Sequence, residues 1–298
     1  MSALATYPAV RLRLGAWRWP RLARLEWVAV LVAVGLWIYA VVMAEPFGVS
    51  RWSSGIDSRP YWDALASAPY LHSVVGGWDA YLYSPAFLQF LTPLRVLPWV
   101  GFVAVWTAIL LGALVAISGR RRFLWILLFF GWSELLSGNI SFLLALVVVA
   151  GFARPSLWAF SILTKVTPGL GLIWFVARGQ WRALALVGAT VGAVIAVSVA
   201  LGGLEPWFAW VGTLVTNNGV VIPTDFYLPV GREIRFPIAL VLGIFAARTD
   251  RRWLMPIVVT LALPVVWWGG LSILLAIPTL YEADHANHAA LAGTGAKE

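Results

Sequence analysis

The chain has 298 residues, 61% of them hydrophobic and 11% charged, with a net charge of +8. That balance excludes an ordinary soluble domain and points to a polytopic membrane protein. The absence of cysteine excludes a disulfide framework, a thiol nucleophile and a thiolate metal site, and the three histidines, His72, His285 and His288, are too few and too dispersed for a metal centre. Basicity here does not indicate nucleic acid, because the arginines are split among loops that flank apolar runs.

Arg11, Arg13, Arg18, Arg21 and Arg24 precede the first apolar run and mark residues 1–24 as a cytoplasmic segment. A bilayer core of about 30 Å needs about 20 helical residues, and residues 27–44 fit a first span leading outward. No small-residue cleavage site follows that run, so it does not read as a cleavable signal. Residues 45–97 form a polar, Pro- and Gly-containing external loop. Within it Pro60 suits the first turn of a helix over 61–68, Gly76-Gly77 makes a turn, and an apolar helix runs from Pro85 to near Pro93. Residues 98–118 return to Arg120, Arg121 and Arg122.

The middle of the chain is unusual. Residues 123–137 are apolar but make only roughly 22 Å of helix. Gly138-Asn139 follows, and residues 140–153 run back to Arg154, which predicts a hairpin that stops below the outer surface. Residues 156–163 then lead to Lys165 and Pro168, and 169–177 lead back to Arg178, a second broken or re-entrant pair. Broken helices at membrane depth are tolerated where they line a polar cavity. A normal span over 183–201 leads to a second external loop, 203–235. Residues 236–247 return to Arg248, Arg251 and Arg252, 253–280 exit again, and 281–298 read as a polar, disordered tail. The fold expected is all-α: a polytopic helical bundle, one domain over 25–280, with about eight membrane segments including short or re-entrant helices. Tryptophans recur near the proposed boundaries, as interfacial anchors do.

Asp57 is the carboxylate best placed for chemistry, at the outer mouth of an apolar bundle. It can serve as a general base, or either it or Ser58 can cap the helix starting near Pro60. Asp63 reads as solvated and Asp79 as a turn residue. Lys165 is the only lysine before Lys297 and stands in an apolar stretch. It can bind an anionic group, or pair with Glu134, the only carboxylate of the short helices. Arg59, Arg232 and Arg235 are external cations able to meet phosphate, and His72 is a further phosphate donor or a plain loop residue. Asn139 can hydrogen-bond a sugar hydroxyl or simply make the hairpin turn. Asn217-Asn218-Gly219 is first a turn signal. Tyr81, Tyr83 and Trp78 can stack on a sugar or anchor at the interface.

Together these residues resemble glycosyltransferase family 87, whose members are polytopic transferases of the GT-C type. The resemblance runs over roughly residues 25–220. It rests on Asp57 after the first span, Tyr61 four residues on, Gly76-Gly77-x-Asp79-x-Tyr81, Tyr83-x-Pro85-x-Phe87, Gly138-Asn139, Lys165-x-x-Pro168 and the stretch from Arg178 to Arg182. It implies a GT-C bundle and a sugar donor carried on polyprenyl phosphate, with mannose favoured over arabinofuranose. It also implies inverting transfer outside the cytoplasmic membrane to a lipid-linked or cell-envelope acceptor, with Asp57 as base. Substrate contacts follow at Lys165, Tyr61, Tyr81, Tyr83, Arg59, Asn139 and His72. No acidic pair occurs in the first loop, so no metal or other cofactor is expected, and no nucleic-acid partner. Two other readings stand beside this one. Broken helices and an intramembrane lysine also suit a transporter or lipid flippase. A non-catalytic relative fits a chain shorter than typical family members.

Overall fold

The computed structural model describes residues 55–64, 68–71, 73–77, 80–118, 131–218 and 227–295. The expected first span over 27–44, the basic segment before it, the Arg120–122 cluster, His72, Trp78 and Asp79 lie outside the described residues. Regular structure among the described residues is helical, with one isolated antiparallel bridge between Tyr227 and Trp267. Helices α1 (Arg59–Asp63) and α2 (Pro85–Arg95) belong to the first loop, and each carries a proline in its first turn, Pro60 second in α1 and Pro85 first in α2, where its missing N–H costs nothing.

Among the described residues, two helices are long and apolar enough to cross a membrane: α3 (Trp99–Ser118) and α8 (Trp181–Gly202). α3 buries Phe102, Trp106, Leu110, Ala113 and Ile117, spaced by three and four residues along one face. α8 buries little, and its outward residues Leu186, Val197 and Leu201 are apolar.

Between and after these helices the chain forms three short helical hairpins. The first pairs α4 (Trp132–Ser137) with α5 (Ser141–Ala150). Its tip is Gly138, left-handed at φ 75°, which closes α4 through an N–H bond to the Glu134 carbonyl. The second runs from the 3-10 turn Pro155–Leu157 and α6 (Trp158–Lys165) into the 3-10 segment Thr167–Leu172 and α7 (Ile173–Ala177). Pro168 opens the return arm and does not interrupt a helix. The second hairpin matches the short pair expected over 156–177, and the first matches over its described part, residues 123–130 of the expected leading arm lying outside the described residues.

The third hairpin is a correction. Residues 253–280 were expected to exit as one span. Instead Arg252–Leu254 and α11 (Met255–Leu261) lead in, the chain turns past Pro264, and the 3-10 segment Trp268–Ala276 leads back into α12 (Ile277–Gly295). The two ends meet: Arg252 Nε lies 2.6 Å from Asp284 Oδ1, both side chains are buried, and Asp284 also accepts the Trp253 N–H. Pro264 and Gly269-Gly270 are the physical reason, since none of them continues a helix readily. The stretch after Leu280, expected as a disordered tail, is helical to Gly295 and carries the buried half of that ion pair.

The stretch over 203–235, expected as a second external loop, likewise contains a helix, α9 (Glu205–Thr216). Its Trp210 donates to the Leu82 carbonyl, and Asn217 just beyond it accepts the Val75 N–H and donates to the Ser73 carbonyl. Asn217 therefore fastens the first loop. Arg235, in α10 (Arg232–Arg248), is buried rather than external. Its guanidinium donates to the carbonyls of Val230, Leu261, Leu263 and Pro264, satisfying orphan acceptors beyond α11.

Candidate active site

The site forms where the first loop lies across the tip of the first hairpin. Asp57 donates its backbone N–H to the Ser137 carbonyl at 2.7 Å, and Gly55 donates to the Leu136 carbonyl. Trp106 Nε1 fixes the tip from α3, donating to the Gly138 carbonyl at 2.7 Å. Close approach explains the glycine: a Cβ on Gly138 would come 2.7 Å from Ser58 Oγ. The Gly-Asn pair that reads as a turn is thus also a docking point for the loop that bears Asp57.

Asp57 does not cap α1. Ser58 is the N-cap residue, it makes no side-chain cap bond, and its hydroxyl donates to the Gly55 carbonyl. The Asp57 carboxylate turns instead to Asn139, whose Nδ2 donates to Oδ2 at 3.2 Å. The same amide accepts through Oδ1 from Lys165 Nζ at 3.1 Å and from the Ile140 N–H at 2.7 Å. An amide presents donors on one side and an acceptor on the other, so Asn139 can face a carboxylate and an ammonium at once. One side chain therefore links the anion on the first loop to the cation on the second hairpin.

Lys165 is the last residue of α6, and Val166 after it has φ 52° and ψ −66°, a region that β-branched residues rarely enter. The reversal there brings Lys165 to Asn139. Lys165 donates to this amide, and Glu134, whose Oε1 accepts the Ser141 N–H at 2.8 Å, stays within electrostatic reach of the same ammonium. Burial pushes the Asp57 carboxyl above the usual carboxylate range, against the opposing pull of the Ser137 hydroxyl, the Lys165 charge and the Asn139 amide. The result is a carboxylate of enhanced basicity, partly open to solvent, one amide away from a fixed cation. Such a pair can accept a proton on one side and stabilise developing negative charge on the other.

The remaining expected residues divide. Tyr61 is fully buried, packs edge-on against Tyr83, Phe87 and Trp106, and donates to Tyr83 Oη at 2.7 Å. Tyr83 keeps 9% exposure and stands with Tyr61 behind the cluster. Tyr81 has no exposed surface and its hydroxyl donates to the Ser84 carbonyl, which makes it a scaffold residue of the loop. Arg59 stacks on the rings of Trp62 and Trp99, each 4.9 Å away, and lies 3.5 Å from the exposed Asp63. Arg59 and Tyr81 are thus engaged away from Asp57 and Lys165. Glu134, read from sequence only as a lysine partner, is buried beside the cluster and holds the hairpin turn. Its signal was its isolation in an apolar stretch.

The family model of glycosyltransferase family 87 matches residues 81–294. No curated protein and no solved structure matches the chain. The matched region holds Asn139, Lys165 and all three hairpins but begins after Asp57, so the case for Asp57 rests on its contacts. A match over well more than half of its length, on an all-helical fold, means that the chain belongs to glycosyltransferase family 87 and is a glycosyltransferase.

Proposed function

We propose that this glycosyltransferase is a multi-pass membrane protein. It transfers a hexose, mannose by family analogy, from a polyprenyl-phosphate donor to a lipid-linked or cell-envelope acceptor, with inversion and without a metal. The observation that carries the reading is the Asp57–Asn139–Lys165 linkage. The acceptor oxygen bonds to the anomeric carbon while its proton passes to the Asp57 carboxylate. The bond from the anomeric carbon to the phosphate oxygen breaks on the opposite face, and its electron pair leaves with the phosphate. Lys165 offsets that charge. One base suffices for this single displacement, and inversion follows from attack opposite the leaving group.

Orientation has its own support. The hairpin tips carry Asn139 and Lys165, whereas Arg154, Arg178 and Arg252 stand at the hairpins' open ends, where Arg178 pairs with Asp250 at 2.9 Å. Arginines concentrated at one end favour that end as cytoplasmic, which turns the tips outward. The apolar outer faces of α8 and α10, with Leu186, Val197, Val241 and Phe245 exposed, suit contact with lipid, through which a prenyl chain can enter sideways. The test is transfer from radiolabelled polyprenyl-phosphate mannose in membranes carrying the protein. Transfer by the native chain and its loss in Asp57→Asn are expected. A well-expressed Asp57→Asn protein with full activity would sink the base assignment, and transfer from a nucleotide sugar alone would sink the donor class.

A further inference from the structure

Glu134 is buried to 1% exposure, and its place in the fold is specific. Its carbonyl accepts the Gly138 N–H and its Oε1 accepts the Ser141 N–H, so one residue closes the turn from both sides of Asn139. Its Oε2 points the other way, into the third hairpin. A Cβ on Gly269 would lie 2.3 Å from that oxygen and 3.6 Å from the carboxyl carbon. The carboxylate thus occupies the space that any larger residue at 269 would need. Because Asn139 is what joins Asp57 to Lys165, the set of the 134–141 turn determines the separation of the two charges.

We propose that Glu134 is a positioning residue for glycosyl transfer, clamping the Asn139 turn against the glycine of the third hairpin, and that Gly269 is its steric counterpart. The proposal rests on the reading of Asp57 and Lys165 given above. Second-site control of this kind is plausible physically, because displacing a reacting group by about 1 Å costs on the order of 100-fold in rate.

The experiment measures transfer from polyprenyl-phosphate mannose by purified native protein, Glu134→Gln, Glu134→Ala, Gly269→Ala and the Glu134→Ala/Gly269→Ala double variant. Glutamine keeps an acceptor for the Ser141 N–H, so Glu134→Gln should stay within about threefold of native kcat, since a neutral acceptor still closes the turn. Glu134→Ala should lose about 10- to 100-fold in kcat with donor KM little changed, because misplacement rather than binding is affected. Gly269→Ala should also fall in kcat, since its new methyl would collide with the Glu134 carboxylate and push it off the turn, yet add nothing in the Glu134→Ala background. Native kcat in Gly269→Ala overturns the clamp, as does an additive double variant, and Gly269→Ala decides the matter alone if Glu134→Ala does not accumulate. An active Asp57→Asn protein would instead overturn the base reading, whatever the Glu134 variants do.

Discussion

Replacing Asn139 by alanine should separate what holds the charged pair from what the pair does. The amide makes three hydrogen bonds, of 3.2 Å to Asp57, 3.1 Å to Lys165 and 2.7 Å to the Ile140 N–H. Bonds to charged groups contribute about 1.5–3 kcal/mol each and a neutral bond about 0.5–1.5 kcal/mol, so simple removal would cost about 3.5–7.5 kcal/mol. That is an upper bound, because the vacated space lets Lys165 approach Asp57 and pair with it directly. A net loss of about 2–3 kcal/mol is the expected outcome, or roughly 4–10 °C in melting temperature for a chain of this size. Catalysis should suffer more. A carboxylate paired directly with an ammonium is a weaker base, and both groups leave their working positions, so transfer should fall about 100-fold. Thermal unfolding in detergent and transfer from labelled donor lipid measure the two effects. Asn139→Asp is the contrasting variant: it keeps an acceptor for Lys165 but sets a second carboxylate against Asp57, which should destabilise the turn further. Native transfer rates and an unshifted melting temperature in Asn139→Ala would refute the linkage as the organising feature of the site.

Other outcomes follow from the same contacts. Burial raises the Asp57 pKa, so the ionised base is lost at a higher pH than for an ordinary carboxylate. The acid limb of kcat/KM should therefore lie above that of an ordinary carboxylate, and Lys165→Met should move it higher by removing the opposing charge. The stability sign is opposite: this group favours the fold at low pH, and the contribution is lost as pH rises through the folded pKa. Arg252→Met should lower the melting temperature by removing the buried cation beside Asp284, which keeps its bond from the Trp253 N–H, and Arg252→Met/Asp284→Leu should recover part of that loss. Val166→Gly should raise stability by about 1 kcal/mol through relief of backbone strain while lowering transfer, because the reversal that aims Lys165 is loosened.

The sequence disclosed those parts of the fold whose signal is local. Twenty apolar residues ending before an arginine cluster make α3 legible, and Gly138 and Pro168 mark two hairpins because each ends or restarts a helix in its own neighbourhood. The third hairpin was missed because continuous hydropathy over 253–280 outweighed Pro264 and Gly269-Gly270. Those residues allow the reversal, and a pairing over 32 residues, Arg252 with Asp284, joins its two ends, which no window of hydropathy contains. α9 was hidden by polar residues at either end of its loop, although Trp207, Trp210 and Leu214 have helical spacing. Arg235 looked external because it follows a polar stretch, and its burial depends on carbonyls supplied by α11.

The site shows the same division. Asp57 and Lys165 stood out as charges in apolar surroundings, but their relation runs through Asn139, a residue whose type at a hairpin tip is fully accounted for by turn chemistry. Short hairpins give this arrangement a physical rationale. A continuous span would bond every backbone group to itself and present side chains only along its flank. A hairpin that stops short leaves its tip free to turn polar groups toward a neighbouring tip, with the bundle below supplying rigidity. Here Gly138 allows the first loop to lie on one tip, Val166 turns the other tip toward it, and Glu134 closes the turn between. The proposed base and its cation thus come from segments more than 100 residues apart. Asn139 bridges them because the first loop docks on one hairpin tip and the reversal at Val166 brings Lys165 to the same amide.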